Sequence, residues 1–368
     1  MTETATILRH EIERFGIIPF PRFMELALYC PNSGYYEQES QRVGRDGDFC
    51  TNVSIGALFA ELLAFQFAQW LDALTAGQCQ LIEAGAHDGQ LASDILKWLK
   101  RHRPEVSIRI EYIIVEPSKT RQLWQRKTLD QFAGQVRWAT TLPIPKDGTM
   151  TSIIFSNELL DAFPVRRLAW DRAAGTWFEW GVGIAGDRFI WHRMPGKGND
   201  WEAELHHAGF EISPELKTVL PDGYIIEHCP TAAAWWRKAA STLHHGKLMA
   251  IDYGFTSRQL MVPERCHGTL RAYHRHRVTD DVLANPGDQD ITCHVNFTHI
   301  QKTGEDVGLQ TEALVTQSQF LTNIASSLWQ ANSSPGAPTP AQARQFQSLT
   351  HPEHFGHSFR VLVQSRSR

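Results

Sequence analysis

The stretch Gln80-Leu81-Ile82-Glu83-Ala84-Gly85-Ala86-His87-Asp88-Gly89 constrains this chain more than any other. A short strand runs into a turn carrying two glycines. Leu91, Ile95 and Leu99 then recur at every fourth position, which is one face of a helix. The rhythm continues beyond it. Residues 109–115, rich in Ile and Val, predict a second strand, residues 118–132 a second helix, and residues 151–155 a third buried strand. Strands alternating with helices of this length predict an α/β fold with a doubly wound, Rossmann-like parallel sheet. Right-handed crossovers place the carboxyl ends of such strands on one edge, where ligands bind.

Glycine suits the turn at 84–89 because the backbone must bend tightly and let a ligand approach its amides. The dinucleotide pattern G-x-G-x-x-G lacks its second glycine here, since His87 stands in that place. Glu83 ends the first strand and Glu116 follows the second. A carboxylate in the latter position accepts the ribose hydroxyls of a nucleoside; one in the former would face a cationic group. This pair suits S-adenosyl-L-methionine better than NAD, although an ordinary strand-to-helix turn would also contain glycines.

The third strand runs into Phe155-Ser156-Asn157-Glu158-Leu159-Leu160-Asp161-Ala162-Phe163-Pro164-Val165. Its polar groups emerge at the ligand edge of the sheet. If the segment turns helical, Glu158 and Asp161 share a face at i, i+3 and would grip a guanidinium in a bidentate manner. The plain alternative is a helix capped by Asn157, with Glu158 favoured by the helix dipole, worth about 1 kcal/mol.

Around this frame, residues 1–75 read as helical with one Gly/Asp loop at 44–48, and a long helix is predicted at 54–73. Residues 166–193 predict an inserted antiparallel meander with turns at Gly175 and Gly186. Of the chain's 12 tryptophans, Trp170, Trp177, Trp180 and Trp191 fall in that meander, with Trp201 just beyond it. They read either as the core of a small sheet or as an aromatic docking face. Residues 256–300 read as irregular and His-rich, and residues 359–364 as a final strand.

The charge balance of 36 Lys and Arg against 40 Asp and Glu gives no electrostatic footprint for nucleic acid. The apolar stretch 55–71 is interrupted by Glu61, Gln66 and Gln69, so no membrane span is expected. Six scattered cysteines without a C-x-x-C pair fit a reducing compartment, and the acidic first residues suit neither a secretory signal nor a transit peptide. Together these predict a cytoplasmic location. His267, His274 and His276 lack a metal-ligand spacing, and no metal is expected.

Several segments together resemble one family. They are Phe23–Tyr29, Ser33-Gly34-Tyr35-Tyr36, Gly47-Asp48-Phe49-Cys50-Thr51, the glycine turn, Val115-Glu116-Pro117-Ser118 and the Asn157–Val165 stretch. Further on come Ile251-Asp252-Tyr253-Gly254, the stretch from Asp290 to Phe297, Gln317 and Phe320-Leu321. In this order they resemble the MidA-like class I S-adenosylmethionine-dependent methyltransferases, relatives of the mitochondrial respiratory complex I assembly methyltransferase. The resemblance implies a helical N-terminal region and cofactor lid at 1–75. It implies a methyltransferase domain at 76–368, with insertions near 166–230 and 256–300. S-adenosyl-L-methionine would be held by Asp48, Thr51, Glu83, Gly85, His87, Gly89 and Glu116. Asn157, Glu158, Asp161 and His294 would act on a protein arginine, as on a respiratory complex subunit. A small-molecule N- or O-methyltransferase and a non-catalytic cofactor-binding assembly factor are the alternatives. The chain departs from the family at His87, usually glycine, and at Asn296, usually aspartate.

Overall fold

A computed structural model describes residues 2–38, 51–144, 150–196, 200–274, 277–330 and 337–367. The chain divides into two compact units, each assembled from separated stretches. The first comprises Met1–Phe49, Leu160–Ala234 and Gly254–Lys302; the second comprises Cys50–Leu159, Trp235–Tyr253 and Thr303–Arg368.

The second unit carries a sheet of seven strands: β1 (Cys79–Ala84), β2 (Ile110–Val115), β3 (Val136–Ala139), β4 (Thr151–Asn157), β5 (His245–Phe255), β6 (Gln310–Thr316) and β7 (Phe359–Arg366). Their order across the sheet is 3-2-1-4-5-7-6. β7 runs antiparallel to β5 and β6, whereas the remaining neighbours are parallel. The predicted doubly wound sheet is therefore present. β1 is buried along its whole length and β4 as far as Ser156. Parallel strands covered on both faces carry apolar residues at successive positions, as Leu81-Ile82 and Ile153-Ile154-Phe155 do here. Leu91, Ile95 and Leu99 are all buried on the helix Gln90–His102, each stabilising the unit by roughly 1.5–3 kcal/mol. The predicted helix at 54–73 begins later, at Leu58. Val53–Ile55 forms a separate tight turn, and Gly56 at φ 140° breaks the path between them. The helix predicted to reach residue 132 stops at Thr128, with a tight turn at Asp130–Phe132.

The first unit opens with the helices Glu3–Phe15 and Phe20–Tyr29. The meander follows as Arg166–Asp171, Thr176–Ala185 and Arg188–Arg193, with Gly175 and Gly186 at positive φ in its turns. Ile225–His228 adds an edge strand. Trp170, Trp177 and Trp201 are buried in one cluster with Leu168, Leu205, Phe210, Tyr224 and Ile226. Trp191 packs on Phe20 with ring centroids 4.8 Å apart. The tryptophan concentration is thus largely the core of the small sheet. Residues 256–300, read as irregular, contain a three-stranded sheet of Arg271–His274, Arg277–Thr279 and Asp290–Thr292. Strands this short fall below the length at which alternation is detectable. Among the described residues, no helix is long and apolar enough to cross a membrane.

Candidate active site at the strand ends

The strand order reverses between β1 and β4, and in open α/β sheets the crevice at such a switch point receives the ligand. β1 delivers the glycine turn there. Gly85, His87 and Gly89 stand at φ 77°, 45° and 85°. A Cβ on Gly85 would come within 2.9 Å of Leu159 Cδ1, the movable end of a side chain, so glycine is called for chiefly by the backbone angle. His87 adopts the left-handed conformation without being glycine, which costs roughly 1–2 kcal/mol. Its ring Nδ1 lies 3.6 Å from Asp88 Oδ1. Burial pushes the Asp88 carboxyl up, but the His87 ring and the Gln90 N–H outweigh it and hold the group below its ordinary value.

Glu83 is buried within the sheet and accepts a 2.5 Å hydrogen bond from Tyr112 Oη on β2. Burial raises its pKa to about 7, against the opposing effect of the Tyr112 hydroxyl. Glu116 follows β2 and is 3% exposed. Its Oε1 accepts from the Ser118 N–H at 2.9 Å, and its Oε2 from Gln125 Nε2 at 3.2 Å, with Arg121 Nη1 3.6 Å away. Each carboxylate oxygen thus keeps acceptor capacity for a ribose hydroxyl. Two buried carboxylates flanking a glycine turn fit a nucleoside cofactor that also carries a cationic group.

β4 ends differently from the prediction. Asn157 is still strand, Glu158 takes φ 50°, and Leu160–Ala162 makes a single tight turn. The left-handed residue interrupts any helix, so Asn157 is no helix cap and an i, i+3 face for Glu158 and Asp161 does not form. The Glu158 N–H instead donates to the Ile251 carbonyl at 3.0 Å. Its Oε1 accepts from the Asn52 N–H at 3.1 Å and from Asn157 Nδ2 at 3.0 Å. Asp252, fully buried at the end of β5, accepts the Leu159 and Tyr253 N–H groups at 3.1 and 2.8 Å. Asn52 and Gln317 exchange reciprocal side-chain hydrogen bonds of 3.0 and 2.7 Å. Thr51 bonds locally to Ser54, so its neighbour Asn52 is the residue that reaches the strand end. Sequence reasoning gave no role to Asn52, Gln125 or Asp252. Only Asp252, which follows the apolar run Leu248–Ile251, stands out in the residue order; Asn52 and Gln125 have polar neighbours and carry no such mark.

Asp161 and His294 belong to the first unit. Asp161 is 6% exposed, and its carbonyl accepts from the Cys293 N–H at 2.9 Å. In the same unit Tyr36 Oη donates to Asp290 at 2.8 Å. Burial chiefly, then Asp290 and Asp161, push the Tyr273 hydroxyl above its ordinary value. The His294 ring is driven down to about 4 by burial and then by Arg265 and Arg271, so it is neutral at physiological pH. Asp48 and His276 lie outside the described residues. Among the described residues no group of three or more His, Cys, Asp or Glu side chains could hold a metal ion.

Residues 62–315 match the family model described as "Putative S-adenosyl-L-methionine-dependent methyltransferase". The chain is 33% identical to a Burkholderia thailandensis protein whose crystal structure contains S-adenosyl-homocysteine, with a TM-score of 0.83 over 99% of this chain and 92% of that one. It is 29% identical to the Danio rerio protein named "Protein arginine methyltransferase NDUFAF7, mitochondrial", covering 97% of this chain and 86% of the relative. The Xenopus tropicalis relative of the same name is 27% identical over 88% of this chain and 76% of its own. Those names carry the word mitochondrial, which overturns the cytoplasmic location expected from cysteine usage and the acidic first residues. Scattered reduced cysteines do not distinguish one reducing compartment from another. With its strand order, its glycine turn and these matches, the chain belongs to the S-adenosyl-L-methionine-dependent methyltransferase family and is an enzyme of that class.

Proposed function

We propose that this methyltransferase modifies an arginine side chain of a protein. The observation that carries the reading is the Glu158 carboxylate, held at the carboxyl end of β4 by the Asn52 N–H and the Asn157 amide. A fixed, planar carboxylate matches a guanidinium and stabilises its positive charge while a nitrogen takes the methyl group and then gives up its N–H proton to solvent. The names of the vertebrate relatives support the same acceptor, and a respiratory complex subunit is the protein to test first.

In this reading Gly85, His87 and Gly89 shape the turn beside the cofactor, Glu116 accepts its ribose hydroxyls and Glu83 faces its cationic end. Thr51 closes over it through the turn it makes with Ser54. S-adenosyl-L-methionine, when bound, supplies an already activated methyl group. The protein's task is therefore alignment and exclusion of water. Glu158 orients the acceptor, and Asn157 acts through Glu158 because its amide is engaged there. Asp161 and His294 are assigned to acceptor recognition in their own unit. Mass spectrometry of a host proteome with and without the gene tests the proposal. A methylarginine that disappears, and returns with wild type but not with Glu158→Lys, supports it. If every methylarginine persists while the purified protein binds S-adenosyl-homocysteine, the acceptor is not a protein arginine.

A further inference from the structure

The helix Lys119–Thr128 inverts the usual rule for a helix packed on a sheet. The residue it buries is Gln125, at 0% exposure, while Leu123 is 67% exposed. Three hydrogen bonds account for that amide. Its Oε1 accepts from Trp138 Nε1 on β3 at 3.0 Å, and its Nε2 donates to the His87 carbonyl at 2.9 Å and to Glu116 Oε2 at 3.2 Å. The orientation is fixed by chemistry. An indole N–H only donates, and a carbonyl and a carboxylate only accept, so a flipped amide would break all three contacts. The ring of Trp138 is in turn covered by the Arg126 guanidinium, 4.1 Å from its centroid.

We propose that Gln125 is the positioning residue of the ribose site. Its Nε2 ties the glycine turn, at His87, to the carboxylate of Glu116, and Trp138 holds the amide in the one orientation that does so. Gln125 thereby sets the spacing between the turn and the acid and keeps the remaining Glu116 lone pairs aimed at the ribose. The inference rests on the reading of Glu116 as the ribose acceptor.

Isothermal titration with S-adenosyl-homocysteine and its 2′,3′-dideoxy analogue separates the two ideas. The wild type should prefer the ribose compound by roughly 10- to 100-fold, as hydrogen bonds to a charged group allow. Gln125→Met should lose at least about tenfold of that preference, because Glu116 is no longer held. Gln125→Glu should lose it at pH 8, where two carboxylates repel. It should regain it toward pH 5, where a shared proton lets the introduced carboxyl donate to Glu116. The wild type measured over the same range is the reference. If Gln125→Met, or Gln125→Glu should the first variant not fold, keeps the wild-type preference at pH 8, Gln125 is only packing and the proposal falls. If Glu116→Gln also keeps it, the ribose reading falls too; if Glu116→Gln alone loses it, that reading stands without Gln125.

Discussion

The ends of β1 and β4 are neighbours in the sheet, and each puts a residue other than glycine in the left-handed region. They hold it there by different means. At His87 the fixed atom is the backbone carbonyl, bonded to Gln125, while the ring is half-exposed and only leans toward Asp88. At Glu158 the fixed group is the side chain, whose oxygen takes two hydrogen bonds, and the backbone N–H is tied to β5 as well. A turn held through its carbonyl tolerates a change of side chain; a turn held through a carboxylate does not. The first end is built to present backbone, the second to present one chemical group.

That contrast breaks most readily at Glu158. Glu158→Ala should lower methyl transfer to the acceptor by about 100-fold or more while S-adenosyl-homocysteine affinity stays within about threefold. An equal loss of both, by calorimetry and a radiolabel assay, would place Glu158 on the cofactor side. The β1 end can be probed through Glu83. Its folded pKa of about 7 exceeds the ordinary 4.5, so the unfolded chain releases its proton first as pH rises. Stability then falls between these values, and the penalty is complete above pH 7. Glu83→Gln should therefore stabilise the ligand-free protein by up to about 3 kcal/mol at pH 8 and by less than about 1 kcal/mol at pH 5. Denaturant titrations giving equal gains at both pH values would show that Glu83 is not the titrating group. The smallest effect belongs to His87→Gly. It trades a strained left-handed residue for a floppier one and should change stability by under about 1 kcal/mol. A change in stability several times larger would mean that the His87 ring, not its carbonyl, holds the turn.

The sequence patterns resolved what repeats and missed what is singular. β1, β2 and β4 each carry an apolar centre (Leu81-Ile82, Tyr112–Val115 and Ile153–Phe155), and Leu91, Ile95 and Leu99 mark a helix face, so the sheet and its ligand edge were legible. β6 was not, because its alternation of exposed and half-buried residues is that of a sheet edge, with Glu312 reaching Lys247. The positive φ at Glu158 leaves no mark in the order of residues, so a helix start and a tight turn read alike there. Gln125 was hidden for the opposite reason. It sits in a helix whose apolar side chains are only Leu123 and Trp124, and nothing in the residue order distinguishes the one buried amide from its polar neighbours.

The antiparallel strand β7 lies between β5 and β6, pairing Leu248 with Gln364 and Leu314 with Leu362. During synthesis, β5 leaves the ribosome long before the strand that will cover its outer edge. Until residues 359–366 arrive, that edge exposes a row of unsatisfied amides and carbonyls beside an apolar face, the arrangement most prone to capture by another chain. Nascent forms of this enzyme should therefore depend on chaperones until β7 is made. Their solubility, rather than their activity, would be the first casualty of a defect in β7.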